Sequence, residues 1–278
     1  MKRPQIVLAL ALCVVAPGFA QSKTKTKPLP PTAATPSNPF NFENWVSAER
    51  TAIIALRDKP GTPQEKLIAR VKSVEDKLLK RLKEDHFVTD ESIRLLTETW
   101  FDVENSKPSK SKTRYKETTR FTDAILPLIQ GRPLVQGYLW GIRGAMLQNV
   151  EDNERAVVAY QESTNYLDEL HLQVDVRRLE LSLRRADLLV SLDRKQEAEA
   201  IYRQVMMYPW YSVQNPMESA VRLRNTYFNA GRGLIEACRG NLKALKNIFF
   251  LPAAQTELGP TLAQAIAQAE NKAGGPPP

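Results

Sequence analysis

Residues 140–160 read WGIRGAMLQNVEDNERAVVAY, and residues 182–202 read SLRRADLLVSLDRKQEAEAIY. In the first stretch Trp140, Gly144 and Leu147 fall at intervals of four and three, which places them on one face of an α-helix. Ala156 and Tyr160 follow on the next helix. In the second stretch Ala186 and Leu189 precede Ala198 and Tyr202. In both, twelve residues separate the small residue of the first helix from the alanine of the second, and an aromatic follows four residues later. This is the pattern of an antiparallel helical hairpin. Small side chains at the crossing let two helices approach, and large ones fill the groove beside them. The sequence therefore predicts an all-α chain of antiparallel hairpins, stacked as a solenoid or packed as an irregular helical bundle.

Trp140, Gly144, Leu147, Ala156 and Tyr160 resemble the tetratricopeptide repeat, whose first helix carries a tryptophan, a small residue and an apolar residue, and whose second carries alanine and an aromatic. The second unit matches at Ala186, Leu189, Ala198 and Tyr202, but Ser182 stands where tryptophan is usual. Its Pro209 falls one residue early for the closing proline. A third, degenerate unit runs through Gly233, Leu245 and Phe249. The alanines at 156 and 198 are 42 residues apart, against a family period of about 34. The segment around Leu170 to Val174 is therefore expected to be longer. The resemblance, over residues 134–250, implies a scaffold whose first helices line a surface that receives a peptide or protein. The outward polar residues it nominates are Arg143, Gln148, Arg184 and Arg185, with Arg222 and Asn225 on the next helix.

Outward toward the N-terminus, helix signals continue. Asn38-Pro39 is expected to open a helix carrying Phe42, Trp45, Val46, Ile53 and Leu56, closed before Gly61. Thr62-Pro63-Gln64-Glu65 reads as a capping box. The helix after it carries the stripe Leu67, Ile68, Val71, Val74, Leu78, Leu79 and Leu82. Thr89 or Asp90 caps a third helix with Ile93, Leu96, Trp100 and Val103. Asn105 to Lys112 is a polar loop. A fourth helix carries Tyr115, Phe121, Ile125 and Leu128, and Pro127 is expected to kink or end it.

The ends of the chain differ from the middle. Lys2 and Arg3, the apolar run Ile6 to Ala16 and the small Ala20 form the charged, apolar, small-residue order of a secretory signal. Residues 1–20 are read as that signal, cleaved near Ala20. The run has 11 residues, too few for a membrane span of about 20. Residues 21–39, rich in Lys, Thr and Pro, are expected to be a disordered linker. Residues 40–130 form an N-terminal helical segment and 131–272 the repeat region, before a tail at 273–278. An exported chain, periplasmic or secreted, is expected, with no transmembrane span after cleavage. Cleavage removes Cys13 and leaves Cys238 alone, so no intramolecular disulfide forms and packing supplies the stability.

The net charge of +8 includes a basic run of Lys107, Lys110, Lys112, Arg114, Lys116 and Arg120. Such a patch attracts acidic polymers, and export argues against nucleic acid as the partner. Cys238 has no histidine near it in sequence, and His86 and His171 alone make no zinc site. Neither a Gly-x-Ser-x-Gly turn nor a phosphate-cradling glycine loop is present. The dipeptides Glu91-Ser92, Glu162-Ser163 and Glu218-Ser219 raise the question of a peptidoglycan-cleaving acid, but helix capping explains them. The aromatics Tyr208, Trp210 and Tyr211 are read as the plug of a hairpin end. The expected function is a non-enzymatic scaffold, without metal or cofactor, that binds a protein or peptide partner in the cell envelope. A binder or hydrolase of cell-wall polymer and a structural subunit of an envelope complex are the alternatives.

Overall fold

A computed structural model describes residues 39–84, 87–106, 114–170, 175–207, 217–250 and 252–273. The expected signal peptide, the linker up to residue 38, His86, His171, Lys107, Lys110, Lys112 and the aromatics at 208–211 lie outside the described residues. Among the described residues the chain is all-α, with no strand.

The N-terminal half contains α1 (Pro39–Arg57), α2 (Gln64–Lys83), α3 (Asp90–Asn105) and α4 (Lys116–Ile125), followed by a 3-10 turn at Leu126–Ile129. The apolar stripes face a shared core that includes Phe42, Ile53, Val71, Leu78, Ile93, Leu96, Phe121 and Ile125. Helix α3 is central and packs against α1, α2 and α4. Its Trp100 is fully buried. The indole N–H donates to Glu75 Oε2 at 2.9 Å, while Arg120 donates twice to the same carboxylate at 2.6 and 2.7 Å. The buried Glu75 charge is thereby paired and hydrogen-bonded, which is the condition for its burial.

Helix starts follow the sequence with one correction. Thr89 caps α3, its hydroxyl accepting from Ser92 N at 3.1 Å. Thr62, however, does not cap α2. Extended Pro63 occupies that place without a side-chain cap, and the Thr62 hydroxyl donates backward to Lys59 O at 2.9 Å. Helix α2 begins one residue later than the motif implies, so Thr62 stands before the cap position and its hydroxyl serves the turn that closes α1, which passes through left-handed Gly61 at φ 78°. Pro127 does end α4, as a 3-10 turn.

The C-terminal half contains α5 (Pro133–Asn149), α6 (Asn153–Glu169), α7 (Val176–Ser191), α8 (Lys195–Met206), α9 (Met217–Ala237), α10 (Leu242–Lys246) and α11 (Pro252–Ala273). Three successive pairs, α5/α6, α7/α8 and α9/α10, share one register. Seven residues after Gly144, Ala186 and Gly233 the chain turns through left-handed Glu151, Asp193 and Gly240, at φ 63°, 60° and 87°. The first two turns close alike, with Asp152 N donating to Leu147 O at 2.9 Å and Arg194 N to Leu189 O at 2.8 Å. This is the six-to-one bond of a Schellman motif. Five residues beyond each turn residue, Ala156, Ala198 and Leu245 are wholly buried.

Tyr160 and Tyr202 are buried, and glycines receive both rings. A Cβ on Gly144 would stand 2.6 Å from the Tyr160 ring, and one on Gly233 would stand 2.4 Å from the Tyr202 ring. Tyr160 thus packs on its own hairpin, whereas Tyr202 packs on the first helix of the next. Two expectations need correction here. Trp140 is only half-buried, because neighbouring Leu139 takes the inward position and Arg143 lies over the indole at 5.0 Å. Phe249 is 76% exposed, because α10 stops after one turn and cannot carry it inward. Phe250 is buried instead, and α11 closes the far side of α9 with Leu258 seated over Gly231.

Candidate functional site

Helices α7 and α9 are the first helices of successive hairpins and lie in contact. Arg222 of α9 donates to both carboxylate oxygens of Glu180 on α7, at 3.1 and 2.7 Å. Beyond this strap the two helices leave a groove of about 460 Å³. The α7 wall is Leu183, Asp187 and Val190, at the i, i+4, i+7 spacing of one helix face. Asn229, Arg232, Gly233 and Glu236 form the α9 wall, and Tyr202 of α8 forms the floor. Gly233 has no side chain because the ring of Tyr202 occupies that space.

The Tyr202 hydroxyl donates to Asp187 Oδ1 at 2.5 Å. Its burial, and then the charges of Asp187 and Glu236, push its pKa above the ordinary phenol value. Asp187 is exposed overall, with its Oδ1 turned to the Tyr202 hydroxyl. Desolvation there raises its pKa, against the hydrogen bond from Tyr202 and the field of Arg184. On the α9 side Arg239 binds Glu236 from outside the groove at 2.7 Å. At the rim Arg232 donates to Asn229 Oδ1 at 3.2 Å.

The residues nominated from sequence are dispersed. Arg143 is turned toward α4 and pairs with Asp123 at 2.7 Å. Gln148 accepts the Tyr160 hydroxyl at 2.9 Å, and Arg184 acts on the same hydroxyl, opposing the rise that burial gives its pKa. These two therefore meet at Tyr160, one hairpin away from the groove. Arg185 has a buried Nε with no hydrogen-bond partner. Desolvation lowers its pKa, and Glu197 of α8 opposes that shift. Arg222 is the strap across α7 and α9. Asn225 is exposed, one turn before Asn229. Sequence reasoning named Tyr202 and Gly233 as packing residues but missed Asp187, Asn229, Arg232 and Glu236. The only available signal was the same-face spacing on each helix.

Two serines of the Glu-Ser pairs, Ser92 and Ser163, serve packing. Ser92 is buried against Thr89 at 2.8 Å, and Ser163 donates to Gly137 O at 2.6 Å. The side chains of Glu218 and Ser219 lie outside the described residues. Arg114 of the basic run is spent on Asn105, donating to its Oδ1 at 2.8 Å. Burial, with Glu199 nearby, pushes the Cys238 thiol up to about 11, so it is protonated at neutral pH. Among the described residues no group of three His, Cys, Asp or Glu is placed to hold a metal ion, and no helix is long and apolar enough to cross a membrane. Comparison with protein-family models, curated proteins and solved structures finds no match for this chain.

Proposed function

We propose that this chain is an exported helical-repeat scaffold, of tetratricopeptide-like design, that binds a protein or peptide partner in the cell envelope through the α7/α9 groove. The observation that carries this reading is the groove itself. Two first helices of hairpins in common register stand side by side and line one concavity with Leu183 and Val190, an aromatic floor and the polar Asp187, Asn229, Arg232 and Glu236. Concavities that combine apolar and aromatic surface with placed polar groups are the usual form of binding sites. The signal-like order of charged, apolar and small residues over the first twenty positions supports an envelope location.

Site-specific photo-crosslinking in cells tests it. A photoreactive residue at Val190 or Asn229, both in the groove, is expected to give a discrete adduct of higher mass. The same residue at exposed Gln204 on α8 is expected to give none. Adducts that are absent, or equal at all three positions, would remove the reading.

A further inference from the structure

We infer that one pole of the N-terminal helices docks on the surface of a lipid bilayer. This is independent of the α7/α9 groove and of whatever occupies it. Helices α1 to α5 alternate in direction. At one pole the start of α1 meets the end of α2, with the Arg81 guanidinium over the Phe42 ring at 4.6 Å. There too the loop between α2 and α3 meets the start of α5, Arg132 donating to Val88 O at 2.8 Å and to Asp90 Oδ1 at 2.6 Å. At the other pole the ends of α3 and α5 meet the start of α4, where the Tyr115 hydroxyl donates to Asn105 Oδ1 at 2.9 Å and accepts from Asn149 Nδ2 at 3.0 Å.

The two poles differ in surface. Among the described residues before 150, the large hydrophobic side chains that stand exposed are Phe87 at 64%, Leu128 at 39% and Leu134 at 44%. All three belong to the first pole, since Phe87 precedes Val88, and Leu128 and Leu134 lie on either side of Arg132. The opposite pole exposes Asp58, Lys59, Asn105 and Ser106. Exposed apolar groups gathered in this way mark a surface for a protein or a membrane. Where the chain enters selects the membrane. Helix α1 begins with Pro39 at the apolar pole, and the 22 residues 17–38 separate it from the apolar run 6–16. That run has the signal-like character of a segment that engages a membrane. Fully extended, the 22 residues span at most about 80 Å, so a bilayer that holds the run lies within reach of this pole. Charge does not select the partner, because Lys80 lies 3.7 Å from Glu84 and Arg132 is paired with Asp90. The pairing lowers the cost of contact, since the guanidinium amid the apolar side chains already has its counter-charge. Three side chains give a shallow, reversible contact whose strength follows the apolar area buried.

Phosphatidylcholine vesicles test this on the full chain. They carry no net charge, so the +8 of the chain gives no nonspecific attraction. An environment-sensitive fluorescent amino acid replaces Phe87, Leu128 or Leu134, or Lys59 on the opposite pole. With vesicles present, emission at the first three positions is expected to shift to the blue and to be quenched by nitroxide-bearing lipid, while emission at 59 stays aqueous. With the fluorophore at 134, Phe87→Asn and Leu128→Asn together are expected to weaken its partition about tenfold, the scale of two partly exposed apolar side chains. Emission that stays aqueous at 87, 128 and 134 overturns the inference, even where the apolar run itself holds the chain to the vesicle. Equal quenching at both poles overturns it as well. A crosslinked dimer, formed in lipid-free buffer through a photoreactive residue at 134, would put a second copy of this chain on the pole and overturn it too. None of these outcomes bears on the groove crosslinks at Val190 and Asn229.

Discussion

Glu151 and Asp193 carry side chains on left-handed backbone, where an L-residue costs roughly 1–2 kcal/mol and aspartate is better tolerated than glutamate. Glycine removes that cost but gives the unfolded chain more freedom. Glu151→Gly is expected to stabilise the protein by about 0.5–1 kcal/mol net, and Asp193→Gly by less. Calorimetry checks this as a rise of about 2–4 °C at most in the unfolding midpoint. A fall would mean that the side chains contribute more than the backbone relief. The helical glycines respond in the opposite sense. Alanine gains about 1 kcal/mol of helix propensity over glycine, yet a Cβ at Gly144 or Gly233 enters a tyrosine ring. Overpacking of this kind costs typically 1–3 kcal/mol, so Gly144→Ala and Gly233→Ala are expected to destabilise. Urea midpoints of the two variants decide it, and a rise in either would defeat the close-approach account.

Helix α4 depends on a residue of another element. The residue at its cap position, Tyr115, makes no side-chain capping bond. Buried Glu104 of α3 supplies it instead, accepting from Glu117 N at 3.0 Å, Thr118 N at 2.8 Å and the Thr118 hydroxyl at 2.6 Å. Glu104→Ala leaves those donors unmet and is expected to cost about 2–3 kcal/mol, the scale of a charged hydrogen-bond set. Denaturant unfolding measures it, and a loss under about 0.5 kcal/mol would mean water replaces the carboxylate. No sequence pattern marks this cap, because it joins residues of different helices. Local signals were more legible. The apolar stripes gave the helices, Thr89 and Pro127 gave boundaries, and the spacing of Gly144, Ala156 and Tyr160 gave a hairpin. Thr62 failed because α2 begins one residue later, with Pro63 at the cap position. Phe249 failed because the spacing cannot reveal that α10 stops after one turn.

At the scale of the molecule, α5 belongs to both halves. Val135 and Leu139 complete the N-terminal core, while Gly144 on the same helix receives Tyr160. Residues 39–131 alone therefore lack part of their core and are expected to show no cooperative thermal transition by circular dichroism. A sharp melt of that fragment would mean α1 to α4 are self-sufficient. The candidate groove was the least legible feature, since Asp187 and Glu236 face one space only once α7 and α9 lie side by side. The shared register of the hairpins has a mechanical meaning as well. Equivalent positions of successive hairpins are separated by 42 residues from Gly144 to Ala186 and by 47 from Ala186 to Gly233. At about 3.5 Å per extended residue, a chain pulled from its two ends is expected to release on the order of 150 Å of slack per hairpin. The contact of Tyr202 with Gly233 ties the second hairpin to the third, so those two are expected to yield together.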